Sequence, residues 1–161
     1  MNTSHLLDAL LYVTGLAVSS VSGEVGTLVS GVEVEDVASA TLRFDNGAIG
    51  SLMAGAHITG ASSDECFTLY GTRGQVCLPD PYGSDPLRVY VQESWGNLVA
   101  GQWQSIPVEH AAVHRLAVED FARAVQSKQK APIGIEAARQ VLATVLSIYR
   151  SAESKMSLPV S

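Results

Sequence analysis

His5, Asp8 and Tyr12 stand three and four positions apart near the start of the chain, a spacing that stacks them on one side of a helix. An imidazole is the side chain best suited to accept and return a proton near neutral pH, so His5 is the candidate general base. Asp8, one turn further on, could orient that ring or meet a ligand hydroxyl, and Tyr12 adds a phenol on the same side. Each also has a structural reading. His5 serves equally as a capping or packing residue, and Asp8 as an acid favoured by the positive end of the helix dipole.

The other chemistry-bearing residues are more scattered. His57 lies in a strand of small residues and could face a pocket or an interface. His110 and His114 have the i, i+4 spacing that can chelate a metal, but no matching carboxylate cluster accompanies them, so they read as a solvated helix start and no metal site is expected. Trp95 and Trp103 flank a Gly-rich turn and could stack on a sugar face or pack beneath a sheet. Glu33, Glu35 and Asp36 read as a wet loop edge. Cys66 and Cys77 form neither a disulfide framework nor a Cys-x-x-Cys pair, and read as small buried hydrophobes in a reducing compartment. No Gly-x-Gly-x-x-Gly follows a strand, and no phosphate loop, nucleophile elbow or His-Glu-x-x-His occurs, so no cofactor-binding residues are assigned.

The elements that must position these residues run as helix, strands, then two helices. Asn2, Thr3 and Ser4 offer capping oxygens to the first helix, Leu6, Leu7, Leu10 and Leu11 give it an apolar stripe, and Gly15 ends it. From Leu16 to about Pro107 the period approaches two. Ala40 to Phe44 alternates into an Asp45-Asn46-Gly47 hairpin turn, and the returning stretch from Ala48 to Ile58 is apolar on both faces. A second hairpin turns at Gly71 to Gly74, which sets Thr68, not Cys66, opposite Cys77. The loop Pro79 to Pro86 is too rich in proline for a central strand, and strands follow near Leu87–Gln92 and Gln102–Pro107. Val113, Leu116, Ala117, Phe121 and Ala124 then make one helical stripe. Ile135, Ala138, Leu142, Val145, Tyr149 and Ala152 make another. The expected class is α+β: one large, open, mostly antiparallel or mixed sheet with helices on one face and the other face available for a symmetric dimer.

At 161 residues the chain is the size of one ordinary domain. Its hydrophobic fraction of 47% and charged fraction of 16% exclude a disordered tail and leave apolar surface for another subunit. Sixteen acids against ten bases, a net charge of −6, offer nothing to a phosphate backbone, so nucleic acid is not an expected partner. The run from Leu6 to Val21 has no basic residue before it and is too short to span a bilayer, which leaves a cytoplasmic protein with no membrane partner as the simplest expectation.

The order of the segments is itself informative. His5-Leu6-Leu7-Asp8-Ala9-Leu10-Leu11-Tyr12-Val13-Thr14-Gly15 resembles the helix that opens the C-terminal domain of the glucose-fructose oxidoreductase/inositol dehydrogenase/rhizopine-catabolism (Gfo/Idh/MocA) oxidoreductases. The resemblance continues through Val34-Glu35-Asp36, Ala40 to Ala48, the Leu69-Tyr70-Gly71-Thr72-Arg73-Gly74 turn, Glu119-Asp120-Phe121, Ser147 to Ala152 and Leu158-Pro159. Members of that family join an N-terminal Rossmann domain, which binds NAD or NADP, to a C-terminal domain that supplies the substrate pocket and an open sheet for oligomer contacts. They typically carry an Asp-x-x-x-His pair, of which this sequence matches only the histidine, His5; Met1 stands at the aspartate position. The Glu-Lys-Pro motif of the first domain is also absent.

The resemblance therefore implies that residues 1–161 are a single substrate-binding and oligomerisation domain without its Rossmann half. His5 would be the catalytic base of an incomplete site, with Asp8 and Tyr12 contacting a small polyol-type ligand. The expected partners are a second copy, as a homodimer or higher homo-oligomer, and a Rossmann domain in trans. No NAD or NADP is expected to bind this chain alone. The other reading is a stand-alone, non-catalytic oligomerisation or small-ligand module derived from the same family.

Overall fold

A computed structural model describes residues 3–29, 31–56, 66–79, 85–108 and 113–161. The chain divides into two compact units, residues 1–61 with 133–161, and residues 62–132. His57, His110 and the centre of the proline-rich loop lie outside the described residues.

The first unit opens with α1 (Ser4–Thr14) and carries β1 (Val18–Gly26), β2 (Val37–Phe44) and β3 (Ile49–Gly55). Its later segment supplies α3 (Ile135–Ser154) and a two-residue β8 (Leu158–Pro159), and the second unit contains the elements numbered between them. The four strands form an antiparallel sheet in the order β3-β2-β1-β8. Alternation in β2 is complete: Ala38, Ala40, Leu42 and Phe44 are buried, whereas Ser39, Thr41 and Arg43 are exposed. Ala40, Leu42 and Phe44 join Val21, Leu7, Leu11 and Ile148 in the core, so α1 and α3 cover one face. The opposite face stays open, and it includes Ile49 and Met53 of β3. β3 is therefore not apolar-covered on both sides; Gly50, Leu52 and Ala54 turn inward and their neighbours outward.

The β2–β3 connection behaves as its sequence requires. Gly47 N–H donates to the carbonyl of Phe44 (3.0 Å), and Phe44 N–H donates to that of Ala48 (2.9 Å). Only Gly47 takes the left-handed region, at φ 88°, while Asn46 Oδ1 accepts from Ala48 N–H at 2.9 Å.

Two helix expectations are corrected. Thr3 sits at the N-cap of α1 in a helical conformation and makes no side-chain cap bond; its carbonyl instead accepts from Leu7 N–H at 3.0 Å. In α3 the buried side is Thr144, Ser147, Ile148, Ser151 and Ala152, and Ile135, Ala138 and Leu142 of the expected stripe are exposed. Small hydroxyl residues face the strands because they let the helix approach closely. Their own polar atoms are satisfied locally, as where Thr144 Oγ1 donates to the Gln140 carbonyl at 2.9 Å.

The second unit contains β4 (Phe67–Gly71), β5 (Gly74–Leu78), β6 (Leu87–Val91), β7 (Trp103–Ile106) and α2 (Val113–Ser127). Its strands pair antiparallel in chain order, so the described strands form two four-stranded sheets where one large sheet is expected. No strand pairing links the two sets among the described residues. Thr68 pairs with Cys77, as the tight turn demands. The cysteines are not buried, however. Cys66 precedes β4 and is exposed, and Cys77 is half-buried with its sulfur accepting from Thr68 Oγ1 at 3.6 Å. On α2, Ala124 is buried but Leu116, Ala117 and Phe121 are exposed. The overall class is α+β with open antiparallel sheets and three helices among the described residues.

Candidate functional site

α1 decides where the first candidate residues point. Leu7 and Leu11 bury one side of the helix, which turns His5, Asp8 and Tyr12 towards the other. His5 and Tyr12 are exposed and Asp8 is half-buried, so the three share an accessible face as their spacing predicts. Gly15 closes the helix at φ 67°, donating its N–H to the Leu11 carbonyl at 2.8 Å.

A cleft of about 260 Å³ opens at the beginning of this helix. Thr3, at the N-cap, forms part of its wall, whereas His5, Asp8 and Tyr12 do not line it. The rest comes from the strand ends of the same unit: Val34 to Ala38 leading into β2, Ala54 to Ala56 at the end of β3, and Tyr149 from α3. The connection from β1 to β2 is folded around Asp36. Its carboxylate accepts from Leu28 N–H and Val29 N–H, both at 2.8 Å, while its own N–H donates to the Gly26 carbonyl at 3.0 Å. Ala56 N–H donates to the Asp36 carbonyl at 2.8 Å and Thr27 Oγ1 to that of Val34 at 2.8 Å. Asp36 is only 4% exposed, which corrects its reading as a wet loop edge: it organises the loop from inside.

Glu35 is held differently. Tyr149 donates its hydroxyl to Glu35 Oε1 at 2.6 Å, a charge-assisted bond between segments 114 residues apart. Burial, with the Glu35 bond and its negative charge, pushes the Tyr149 phenol up to about 12. The phenol therefore stays protonated, and a donor, across the physiological range. The sequence places Tyr149 in an apolar stripe and so misses it. The available signal is chemical: within that stripe only a tyrosine carries a polar tip that needs a partner when its ring is packed.

The remaining candidates fall elsewhere. His114 is exposed on the first turn of α2, and no group of three or more potential metal ligands occurs among the described residues. In the second unit Trp103 packs its ring beneath the Arg88 guanidinium, 4.9 Å from the ring centroid, and 5.7 Å from the Tyr90 ring. Trp95 is 77% exposed, on a short hairpin closed by Trp95 N–H to the Leu98 carbonyl at 3.0 Å. It borders a separate cleft of about 470 Å³ whose floor includes Val76 and Val89. No described helix is long and apolar enough to cross a membrane.

Comparison with known proteins gives a family match over part of the chain and a fold match over nearly all of it. Residues 2–77 match the family model described as the GFO/IDH/MocA C-terminal domain. No curated protein matches the chain. Among solved structures, an oxidoreductase domain protein from Kribbella flavida superposes with a TM-score of 0.83 at 19% identity, over 98% of this chain and 48% of its own. Levoglucosan dehydrogenase, in complex with NADH and levoglucosan, gives 0.82 at 21% identity, over 98% of this chain and 48% of its own. The WlbA dehydrogenase from Bordetella pertussis, in complex with NADH and UDP-GlcNAcA, gives 0.74 at 22%, over 99% and 44%. At these identities the likeness is one of fold, and the chain spans about half the length of each structure.

Proposed function

We propose that this chain, whose residues 2–77 match the GFO/IDH/MocA C-terminal domain model, is the substrate-facing and oligomerisation half of a nicotinamide-dependent sugar, cyclitol or polyol oxidoreductase. The observation that carries this reading is the outward face of α1, where His5, Asp8 and Tyr12 stand together, accessible, on the side away from Leu7 and Leu11. His5 would take the proton of a ligand hydroxyl, and Asp8 and Tyr12 would hold neighbouring hydroxyls. Levoglucosan, the ligand of one fold neighbour, supports a sugar-like substrate.

The described residues do not fit a dinucleotide. Its usual cradle is a parallel βαβ unit with a glycine-rich turn at a helix N-terminus, whereas every described strand pair here is antiparallel. The nucleotide would bind a Rossmann domain, in the same polypeptide or another. Oligomerisation would use the open sheet faces. That of the first unit presents Thr41, Ile49 and Met53, and the second presents a cross-strand row from Tyr70 through Gln75 and Tyr90 to Trp103. A cytoplasmic setting suits the exposed Cys66 thiol.

The test is to follow backbone amide resonances of the chain during titration with levoglucosan, D-glucose and myo-inositol, and separately with NADH. Saturable shifts along α1 that His5→Ala abolishes are expected, with no saturation by NADH. Stoichiometric NADH capture by this chain alone, or polyol shifts confined to the second unit, would overturn the reading.

A further inference from the structure

We propose that the cleft between the start of α1 and the β1–β2 connection admits neutral polyhydroxy ligands and excludes anionic ones, with Glu35 as the residue that determines this choice and Tyr149 as its positioning residue. The inference rests on the reading of the chain as a substrate-facing half and names the charge class that half accepts.

The described lining contains two carboxylates, Glu35 and Asp36, and no lysine or arginine. The remaining described walls are Thr3, small or branched apolar side chains, glycine backbone and the Tyr149 phenol. The two acids are not equivalent. Asp36 is buried and its two oxygens accept from the Leu28 and Val29 amides, so it belongs to the loop. Glu35 is half-buried on the cleft wall, with Oε1 fixed by Tyr149. A carboxylate has about four acceptor positions, and the phenol occupies one of them. Glu35 thus presents an oriented acceptor to whatever enters.

An acceptor of this kind bonds a hydroxyl hydrogen and repels a carboxylate or phosphate, and in a cleft the repulsion is screened less than at an open surface. The net charge of −6 works in the same direction. Tyr149 contributes geometry rather than charge. With its phenol raised to about 12 it remains a donor, keeping Glu35 against α3 instead of extended into solvent. The two residues are therefore separable: removing the charge should change which ligands enter, whereas removing the phenol should loosen binding without changing that choice.

The experiment compares D-glucose with D-glucuronate, which differ by one carboxylate, using amide shifts of Thr3, Val34 to Ala38 and Ala54 to Ala56 in the wild type, Glu35→Gln and Tyr149→Phe. Glucose should saturate these amides in the wild type and glucuronate should not. Glu35→Gln should weaken glucose by roughly tenfold, the scale of one hydrogen bond to a charged group, and should admit glucuronate. Tyr149→Phe should weaken glucose while glucuronate stays excluded. Amide spectra of each variant without ligand verify that it remains folded. Equal binding of the two sugars by the wild type, or an unchanged preference in Glu35→Gln, would overturn the inference while the reading of α1 stands. Glucose shifts on the His5 face that miss the cleft would do the same. If no neutral polyol shifts any amide of the first unit, both fall.

Discussion

Gly23 N–H donates to Ser151 Oγ at 3.0 Å, joining the middle of β1 to the last turns of α3 across 128 residues of sequence. The bond sits where the sheet runs out. β8 pairs with β1 only at Ser20 and Val21, and beyond them the amide of Gly23 has a helix hydroxyl in place of a strand carbonyl. Ser151 Oγ in turn donates to the Met156 carbonyl at 2.5 Å, so one buried hydroxyl ties strand, helix and the turn after the helix.

Ser151→Ala is therefore expected to destabilise the chain by about 1–3 kcal/mol, the range for leaving a buried donor unsatisfied. Urea unfolding measures this. A midpoint unchanged from wild type would show that water replaces the hydroxyl without loss.

Gly23 is also where helix and strand come closest. A methyl group there would lie 2.8 Å from Ile148 Cγ2 and 3.4 Å from the Ile148 carbonyl oxygen, and Ile148 is itself 1% exposed. Gly23→Ala should destabilise by roughly 1–3 kcal/mol through overpacking. Gly31→Ala, where nothing lies within 4 Å, should be close to neutral. Equal unfolding midpoints for the two variants would contradict this packing.

Tyr149 gives a pH dependence with a definite sign. Its folded-state pKa is raised from 10.0 to about 12, so the native state holds a proton that the unfolded chain releases first. The associated stability is fully present below pH 10 and is lost as the pH rises towards about 12. Stability of the wild type should fall as the pH rises from 10.0 towards about 12, and Tyr149→Phe should flatten the curve between those values. A tyrosinate absorbance titration in which all tyrosines ionise together would refute the shift.

The functional reading predicts two solution properties. The purified chain with NAD or NADP and any of the polyols named above should give no reduced nucleotide, since the described residues offer no dinucleotide cradle. Light scattering at micromolar concentration should return the mass of a dimer or larger, reduced by Met53→Glu or Tyr70→Asp on the open sheet faces. Nucleotide reduction, or a monomeric mass for the wild type, would count against the corresponding part.

What could be read directly from the sequence was governed by local rules. The Asp45-Asn46-Gly47 turn and the Thr68–Cys77 register follow from turn chemistry and the two-residue period, and both are present. The accessible face of α1 follows from spacing alone. The α3 stripe fails for a different reason. Hydropathy selects Ile135, Ala138 and Leu142, but the interface with β1 selects side chains short enough for close approach, and Thr144, Ser147 and Ser151 win despite their hydroxyls. Asp36 and Tyr149 were hidden for a related reason. Each meets its partner only after folding, Asp36 through amides seven and eight residues back and Tyr149 through a carboxylate 114 residues away. Neither pairing leaves a periodic trace.

The two-residue β8, with Val160 N–H donating to the Ser19 carbonyl at 3.0 Å, occupies the outer margin of β1. A bare margin of this sort recruits passing strands. Where it pairs, this short strand denies the margin to a foreign strand, and its removal would bare the Ser20–Val21 stretch to edge-to-edge association.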